Sequence, residues 1–394
     1  MRERNDPRRL AGDALADALR DSRARTLTLV NELDDAQWRV PQQPGVNPLA
    51  WELAHIAWFA EFWILRGPHE RDAAGFAHAA QPARIAGPDE WFDSARLPHA
   101  QRWRIALPTR AQVLNTLEAQ LDACLKALPG GDDDAALYFH RLALFHEDMH
   151  AEAFEWTRAA LGYAAPAARQ LHAVRRSGLV KIAGGEVRIG RDAAQRGFAF
   201  DNELQAHTVA LDDFEIDASP VTAGQFLSFV EAGGYTHDSL WPGAAGHWLA
   251  QARREAPERW RRTPHGGWEV RWFDRHETLQ PDAPAVHINA FEAQAYCLWA
   301  LRRLPSAAQW EHAAPHIEWG HDVWEWTRDA FEPYPGFAPG PYAEYSAPWF
   351  GTHRELRGAS IATSARLRDA RYRNFFTPER SDVFAGFRTV AAAL

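Results

Sequence analysis

The chain has 394 residues, enough for two ordinary domains, and 46% hydrophobic content is enough to build real cores. A formal charge of −9, from 43 basic and 52 acidic residues with no basic block, argues against a nucleic-acid binder. Cys124 and Cys297 are too few for a disulfide framework or a thiolate metal cluster, the charged Met1–Arg25 stretch has no apolar signal core, and no run of about eighteen apolar residues exists to span a bilayer; a reducing, cytoplasmic setting is expected.

In chain order, the first half reads as helical. A first helix is expected from about Arg8 to Leu33, with Leu15, Leu19, Leu27 and Val30 on its apolar face. Asn47 or Pro48 opens a second, which runs to about Arg66 through Trp51-Glu52-Leu53-Ala54-His55. A mixed loop follows. Thr109 suits the N-cap of a third helix carrying Leu114, Leu117, Leu121 and Leu125, stopped by Pro129-Gly130-Gly131. The fourth spans Asp134 to Tyr163, with Leu137, Leu142, Phe145, Met149 and Phe154 recurring and Gly162 where a C′ glycine belongs. Four helices joined up and down make a bundle whose interior can host a metal.

The Ala/Pro/Arg-rich segment Ala164–Ser177 has little periodicity and reads as a linker, giving a bundle over 1–165, a linker over 166–178 and a second domain over 179–394. Beyond it, short strand-like runs such as Val187–Gly190 and His207–Leu211 alternate with Gly, Pro and Trp, and short helices are expected near Thr222–Ala232 and Ala290–Leu301. This half is an α+β domain rich in irregular structure. Its tryptophans, part of a total of 18, can line a pocket or fill a loop-rich core.

The chemistry centres on Phe145-His146-Glu147-Asp148-Met149-His150. Four residues apart on a helix, His146 and His150 project from one face and can share a metal ion. The pattern formally matches the HExxH of zinc metallopeptidases, in which the glutamate is the general base. It also suits an iron site in a helical bundle with a third ligand from another helix. A histidine pair on a solvated face is the plain alternative, and a lone His55 in its aromatic run would ordinarily be a core residue. Three histidines on two facing helices explain both positions at once, and no convincing third zincin ligand follows downstream.

The second half resembles the formylglycine-generating-enzyme-like (sulfatase-modifying-factor) fold, a C-type-lectin-like domain. The matching marks are Gly184-Gly185-Glu186, Phe200-Asp201-Asn202-Glu203, Pro220-Val221-Thr222, Leu304–Glu311, Val323–Thr327, Leu356-Arg357-Gly358 and Gly386-Phe387-Arg388. The first half resembles a DinB-like four-helix bundle. Their fusion, with His55, His146 and His150 in place, resembles the ergothioneine-type sulfoxide synthases, which are non-haem iron enzymes that use O2 to join sulfur to C2 of the hercynine imidazole. The resemblance implies a multidomain α and α+β protein with Fe(II) held by those three histidines and its site between the two domains. Formylglycine generation itself is disfavoured, because Arg357-Gly358-Ala359-Ser360-Ile361 lacks the copper-binding cysteines.

Within that superfamily the details are most similar to the selenoneine synthase branch, which couples hercynine to a selenosugar, 1-seleno-β-D-glucose, to give a selenoxide. The stretches that suggest it include Val46-Asn47-Pro48, Asp93-Ser94-Ala95-Arg96, Tyr345–Gly351 and Tyr372–Arg380. Met149 stands where the sulfur enzymes commonly have glutamine, and Phe376 where some that take γ-glutamylcysteine have an acidic residue. By resemblance Tyr342 is the proton or hydrogen donor, with Tyr345 as the alternative donor or a pocket wall; a tyrosine packed on a turn is the competing reading of both. Asn374 would bind the hercynine carboxylate, while Tyr345, Phe375 and Phe376 would offer aromatic faces to its quaternary ammonium. Arg380 is a further polar contact or a plain surface ion pair. Arg102 and Arg104 fall near the second-substrate arginines, and Glu147 becomes a supporting carboxylate. The sulfur enzyme is the nearest alternative, a zinc metallopeptidase the more remote one; no membrane or nucleic-acid partner is expected.

Overall fold

The computed structural model describes residues 6–166 and 169–391; residues 1–5, 167–168 and 392–394, which include part of the expected linker and of both ends, lie outside it. The chain forms two compact units, one of residues 1–157 with 196–198 and the other of 158–195 with 199–394. Among the described residues no helix is long and apolar enough to cross a membrane.

The first unit is a four-helix bundle: α1 (Gly12–Asn31), α2 (Leu49–Ala60), α3 (Arg110–Lys126) and α4 (Asp134–Leu161). Leu15, Ala18 and Leu19 of α1 pack against Leu137 and Leu144 of α4, the apolar stripe the periodicity predicts. A 3-10 turn at Pro7–Arg9, capped by the Asp6 side chain, precedes α1, so the expected start near Arg8 divides into a turn and a later helix. Helix α2 is buried on every side, and it continues as a π-helical turn over Glu61–Leu65, which carries the helical path toward Arg66. Thr109 caps α3 in a reciprocal box with Gln112. Gly162 ends α4 at φ +67°, and the N–H of Tyr163 returns to the Arg158 carbonyl at 2.8 Å, a Schellman closure. The loop between α2 and α3 holds a small hairpin, β1 (His69–Arg71) with β2 (Ala77–Ala79), and 3-10 turns at Asp89–Trp91 and His99–Trp103.

The second unit is sheet-rich. Its strands are β3 (Leu179–Ile182), β4 (Gly185–Ile189), β5 (His207–Leu211), β6 (Phe214–Asp217), β7 (Trp260–Arg262), β8 (Trp268–Trp272), β9 (Arg275–Thr278), β10 (Arg302–Arg303), β11 (Trp324–Ala330), β12 (Arg354–Gly358), β13 (Asn374–Phe376), β14 (Ala385–Phe387) and β15 (Val390–Ala391). Helices α5 (Ala223–Glu231) and α7 (Ala290–Trp299) fall where periodicity expects them, whereas α6 (Ala244–Ala252) and α8 (Ala307–Ala313) go beyond that expectation. Two four-stranded sheets, β10-β15-β6-β3 and β13-β12-β11-β14, accompany the hairpin β4-β5 and the meander β7-β8-β9. The expected linker is anchored to this unit, with the Val174 N–H on the Asp282 carbonyl at 2.9 Å and His172 Nδ1 2.9 Å from Asp322.

The sequence marks of the lectin-like half converge in this core. Trp324–Trp326 of β11 pair in parallel with Ala385–Phe387 of β14, and Trp310 of α8 donates its indole N–H to Glu325 at 2.8 Å. Gly386 is required there, because a Cβ would lie 2.4 Å from the Ala285 carbonyl oxygen. Most of the tryptophans in these marks are therefore core.

Candidate metal centre

His55 of α2 meets His146 and His150 of α4 in a cluster whose ligating atoms all lie within 4.8 Å of one another. The Nε2 atoms of His55 and His146 are 3.1 Å apart, and those of His146 and His150 are 3.3 Å apart. Metal–nitrogen bonds of about 2.1 Å would separate neighbouring ligand atoms by about 3.0 Å in an octahedral site and about 3.4 Å in a tetrahedral one. The observed spacings suit a common ion without choosing its geometry.

Protonation states carry the stronger argument. His55 Nδ1 lies 2.6 Å from the Phe92 carbonyl oxygen, which can only accept, so Nδ1 holds the proton and Nε2 presents a lone pair. His150 Nδ1 faces a Glu52 carboxylate oxygen at 2.7 Å and is fixed the same way. Both Nε2 atoms then point at His146 Nε2, which can donate to one of them at most. Burial, and next the neighbouring His150, hold His55 and His146 well below the usual imidazole range. A cation at the centre would engage all three lone pairs. The donor set fits a divalent metal.

Helix α2 builds this geometry from two stripes. Glu52, His55 and Phe59, at i, i+3 and i+7, serve α4: Glu52 orients His150, and Phe59 stacks flat on His146 with centroids 3.6 Å apart. Trp51 stacks on the other partner, His55, at 5.1 Å and an interplanar angle of 6°. Neither Glu52 nor the Phe92 carbonyl was among the expected site groups. The first was legible as a carboxylate three residues before His55, whereas a backbone carbonyl leaves no signal in the residue types.

Glu147 turns away from this centre. Both its oxygens accept from the Arg23 guanidinium, at 2.7 and 3.1 Å, in a buried pair between α4 and α1. A glutamate so engaged is a supporting carboxylate, not the free base a peptidase needs. Met149, half-buried, lies between the two histidines in sequence. Arg102 donates to Asn47 Oδ1 at 2.7 Å and lies 3.9 Å above the Trp51 ring, while Arg104 is exposed.

The remaining expected residues belong to the second unit. Tyr345 stacks on Phe200 at 4.4 Å and meets Phe375 edge-on at 5.8 Å, and Tyr342 lies 6.2 Å from it. Burial, reinforced by the Tyr372 hydroxyl 3.0 Å away, pushes the Tyr345 phenol well above its ordinary range. The preceding loop is tied down by Asp201, which accepts from the Gly340 N–H and from the Ser346 hydroxyl. Phe375 stacks on Phe331 at 4.1 Å, and the Asn374 amide oxygen accepts from the Phe375 N–H at 2.9 Å. Arg380 forms a two-point ion pair with Asp382 at 2.5 and 2.6 Å and lies 5.1 Å above Phe376, so the plain ion-pair reading describes its contacts.

Comparisons with known proteins agree with both halves. Residues 18–154 match the DinB superfamily, and residues 164–320 and 318–393 match the sulfatase-modifying factor enzyme 1-like domain. A protein of Mycolicibacterium thermoresistibile named hercynine oxygenase is 31% identical over 95% of this chain and 94% of its own length. One of the same name from Mycobacterium tuberculosis is 32% identical over 95% and 98%. A formylglycine-generating enzyme of Streptomyces coelicolor is 29% identical over 54% of this chain and 88% of its own.

Proposed function

This chain belongs to the hercynine oxygenase family, and we propose that it is an Fe(II)- and O2-dependent oxidoreductase that joins a chalcogen to C2 of the hercynine imidazole, with a selenosugar, 1-seleno-β-D-glucose, as the donor. The convergence of the three Nε2 atoms on one centre carries the reading. Iron(II) held by His55, His146 and His150 would leave about half of an octahedral shell open, where dioxygen and the chalcogen donor can meet. In the overall reaction the imidazole C–H and the Se–H bonds are broken and C–Se and Se=O bonds form. One oxygen atom of O2 enters the selenoxide, and the other leaves as water with the two hydrogens.

Around that chemistry the chain supplies binding, orientation and a proton. The phenols of Tyr342 and Tyr345 are the candidate donors, and the raised range of Tyr345 keeps its proton in place at neutral pH. Asn374 would bind the hercynine carboxylate through its amide, and Tyr345, Phe375 and Phe376 would face the quaternary ammonium. Arg380 steadies Phe376 from above. Phe376 offers a charged thiol donor no ionic partner, and Met149 adds no hydrogen-bonding amide beside the histidines; both favour a neutral sugar donor. Arg102 and Arg104 are candidate contacts of that donor.

The test is anaerobic loading with iron(II), then O2 and hercynine with 1-seleno-β-D-glucose, γ-glutamylcysteine or cysteine offered separately, read by mass spectrometry. The expected product is the hercynine selenoxide of the sugar. Turnover of a thiol with the selenosugar ignored would overturn the donor and leave a sulfoxide synthase; zinc bound tightly and iron(II) refused would overturn the metal.

A further inference from the structure

Helix α2 presents a second stripe, Trp51, His55 and Trp58 at i, i+4 and i+7, to the 3-10 turn Asp89–Trp91 and the residue that follows it. Three hydrogen bonds join them. The Trp58 indole donates to Asp89 Oδ1 at 2.8 Å, the Trp51 indole to the Trp91 carbonyl at 2.7 Å, and His55 Nδ1 to the Phe92 carbonyl at 2.6 Å. Arg66, at the far end of the same helical path, grips both oxygens of Asp89 at 2.7 and 2.9 Å. Within the turn, the Trp91 N–H returns to Pro88 and the Phe92 N–H to Asp89, so the carbonyls of Trp91 and Phe92, at its C-terminal end, face outward to side-chain donors.

We infer that Trp51, Trp58, Asp89 and Arg66 are positioning residues that clamp the turn against α2 and thereby fix which nitrogen His55 turns toward the metal. The inference rests on the metal-centre reading above. A half-turn about Cβ–Cγ costs an imidazole little in itself, and it exchanges each nitrogen for a carbon, Nδ1 for Cδ2 and Nε2 for Cε1, so that the Nε2 lone pair leaves the metal position. Here the exchange is opposed because the Phe92 carbonyl, buried and held by its neighbours, would lose its donor. The clamp acts together with the burial of the Phe92 side chain to hold that carbonyl 2.6 Å from Nδ1. The two indoles thus act on His55 through the backbone, touching no substrate, in the way that groups hydrogen-bonded behind a metal ligand set its orientation and affinity.

The test uses the full chain with Trp58→Phe, Trp51→Phe and the double variant, each of which keeps a ring and removes an N–H. Trp38→Phe is the control, since it also deletes an indole bond of this unit, that to the Val30 carbonyl. Anaerobic iron(II) titration and the visible spectrum of the cobalt(II)-loaded protein are measured without substrate. The expected result is a roughly tenfold weaker iron(II) affinity for each single variant and about a hundredfold for the double, with shifted cobalt bands, while Trp38→Phe stays at wild type. Asp89→Asn, which retains the acceptor, should keep most of the affinity that Asp89→Leu loses. Trp51→Phe and Trp58→Phe matching Trp38→Phe in both readouts would overturn the clamp and leave the metal centre standing. A wild-type chain that takes up neither metal would overturn the metal centre itself, and the clamp with it.

Discussion

The two units bury polar groups in opposite ways. In the second, Arg388 lies between Glu325 and the carbonyls of Asp217 and Glu318, and Arg373 between Glu355 and the carbonyls of Asn202 and Glu332. Both of these buried cations meet a carboxylate and main-chain acceptors, so their charges are answered within the fold. In the first, the Phe92 carbonyl and Glu52 turn His55 and His150 so that their Nε2 atoms both face Nε2 of His146. Helix α4 contains both kinds side by side: Glu147 is matched to Arg23, while His146, one residue earlier, points into the cluster. Burial alone therefore does not mark function. A buried set of side chains whose ligating atoms converge on one point does, because that arrangement is suited to a shared ion.

Substitutions should separate the two kinds. His146→Ala or His55→Ala is expected to abolish turnover and reduce bound iron to background while leaving the metal-free chain folded by circular dichroism, since a crowded ring is removed and no ion pair is broken. Arg388→Met is expected to do the reverse, costing about 3–5 kcal/mol in denaturant unfolding by stranding the Glu325 carboxylate, with iron stoichiometry in the surviving folded protein unchanged. Glu147→Gln should cost about 1–3 kcal/mol through Arg23 and leave iron affinity near wild type; loss of metal or of chemistry with full stability would restore the peptidase-like role of that glutamate.

The smallest effect concerns His287 in the second unit. Burial, then Arg259, whose Nη1 is 2.9 Å from His287 Nε2, hold this imidazole neutral well below its usual range. Its folded value is lowered, so below about pH 6.5 the unfolded chain takes up a proton that the folded chain refuses. Stability should fall by as much as about 1.4 kcal/mol per pH unit as the pH drops from there toward the folded value. His287→Asn, which suits the left-handed φ of +61° at this position, should remove that increment from unfolding curves measured between pH 7 and 5.

Much of the first unit was legible because local rules govern it. The Thr109 cap, the stop at Gly162 and the spacing of His146 and His150 are decided within one turn of helix, and the structure follows them. The second unit was legible only by resemblance. Its strands are short, and β11 pairs with β14 some sixty residues away, a partnership that no period in the sequence encodes. Helix α8 escaped notice for the same reason, being seven residues long and held by Glu325 and Arg357 from other strands.

By itself, then, the sequence determined the bundle, the histidine pair on one helical face and the third histidine on an aromatic helix, since residue type and a 3.6-residue period suffice for those. Tertiary structure alone decided which nitrogen each imidazole presents. For His150 that depends on Glu52 lying across from it, and for His55 on the Phe92 carbonyl behind it. These are contacts between elements, and the last is made by backbone, which every residue carries alike and no sequence can single out.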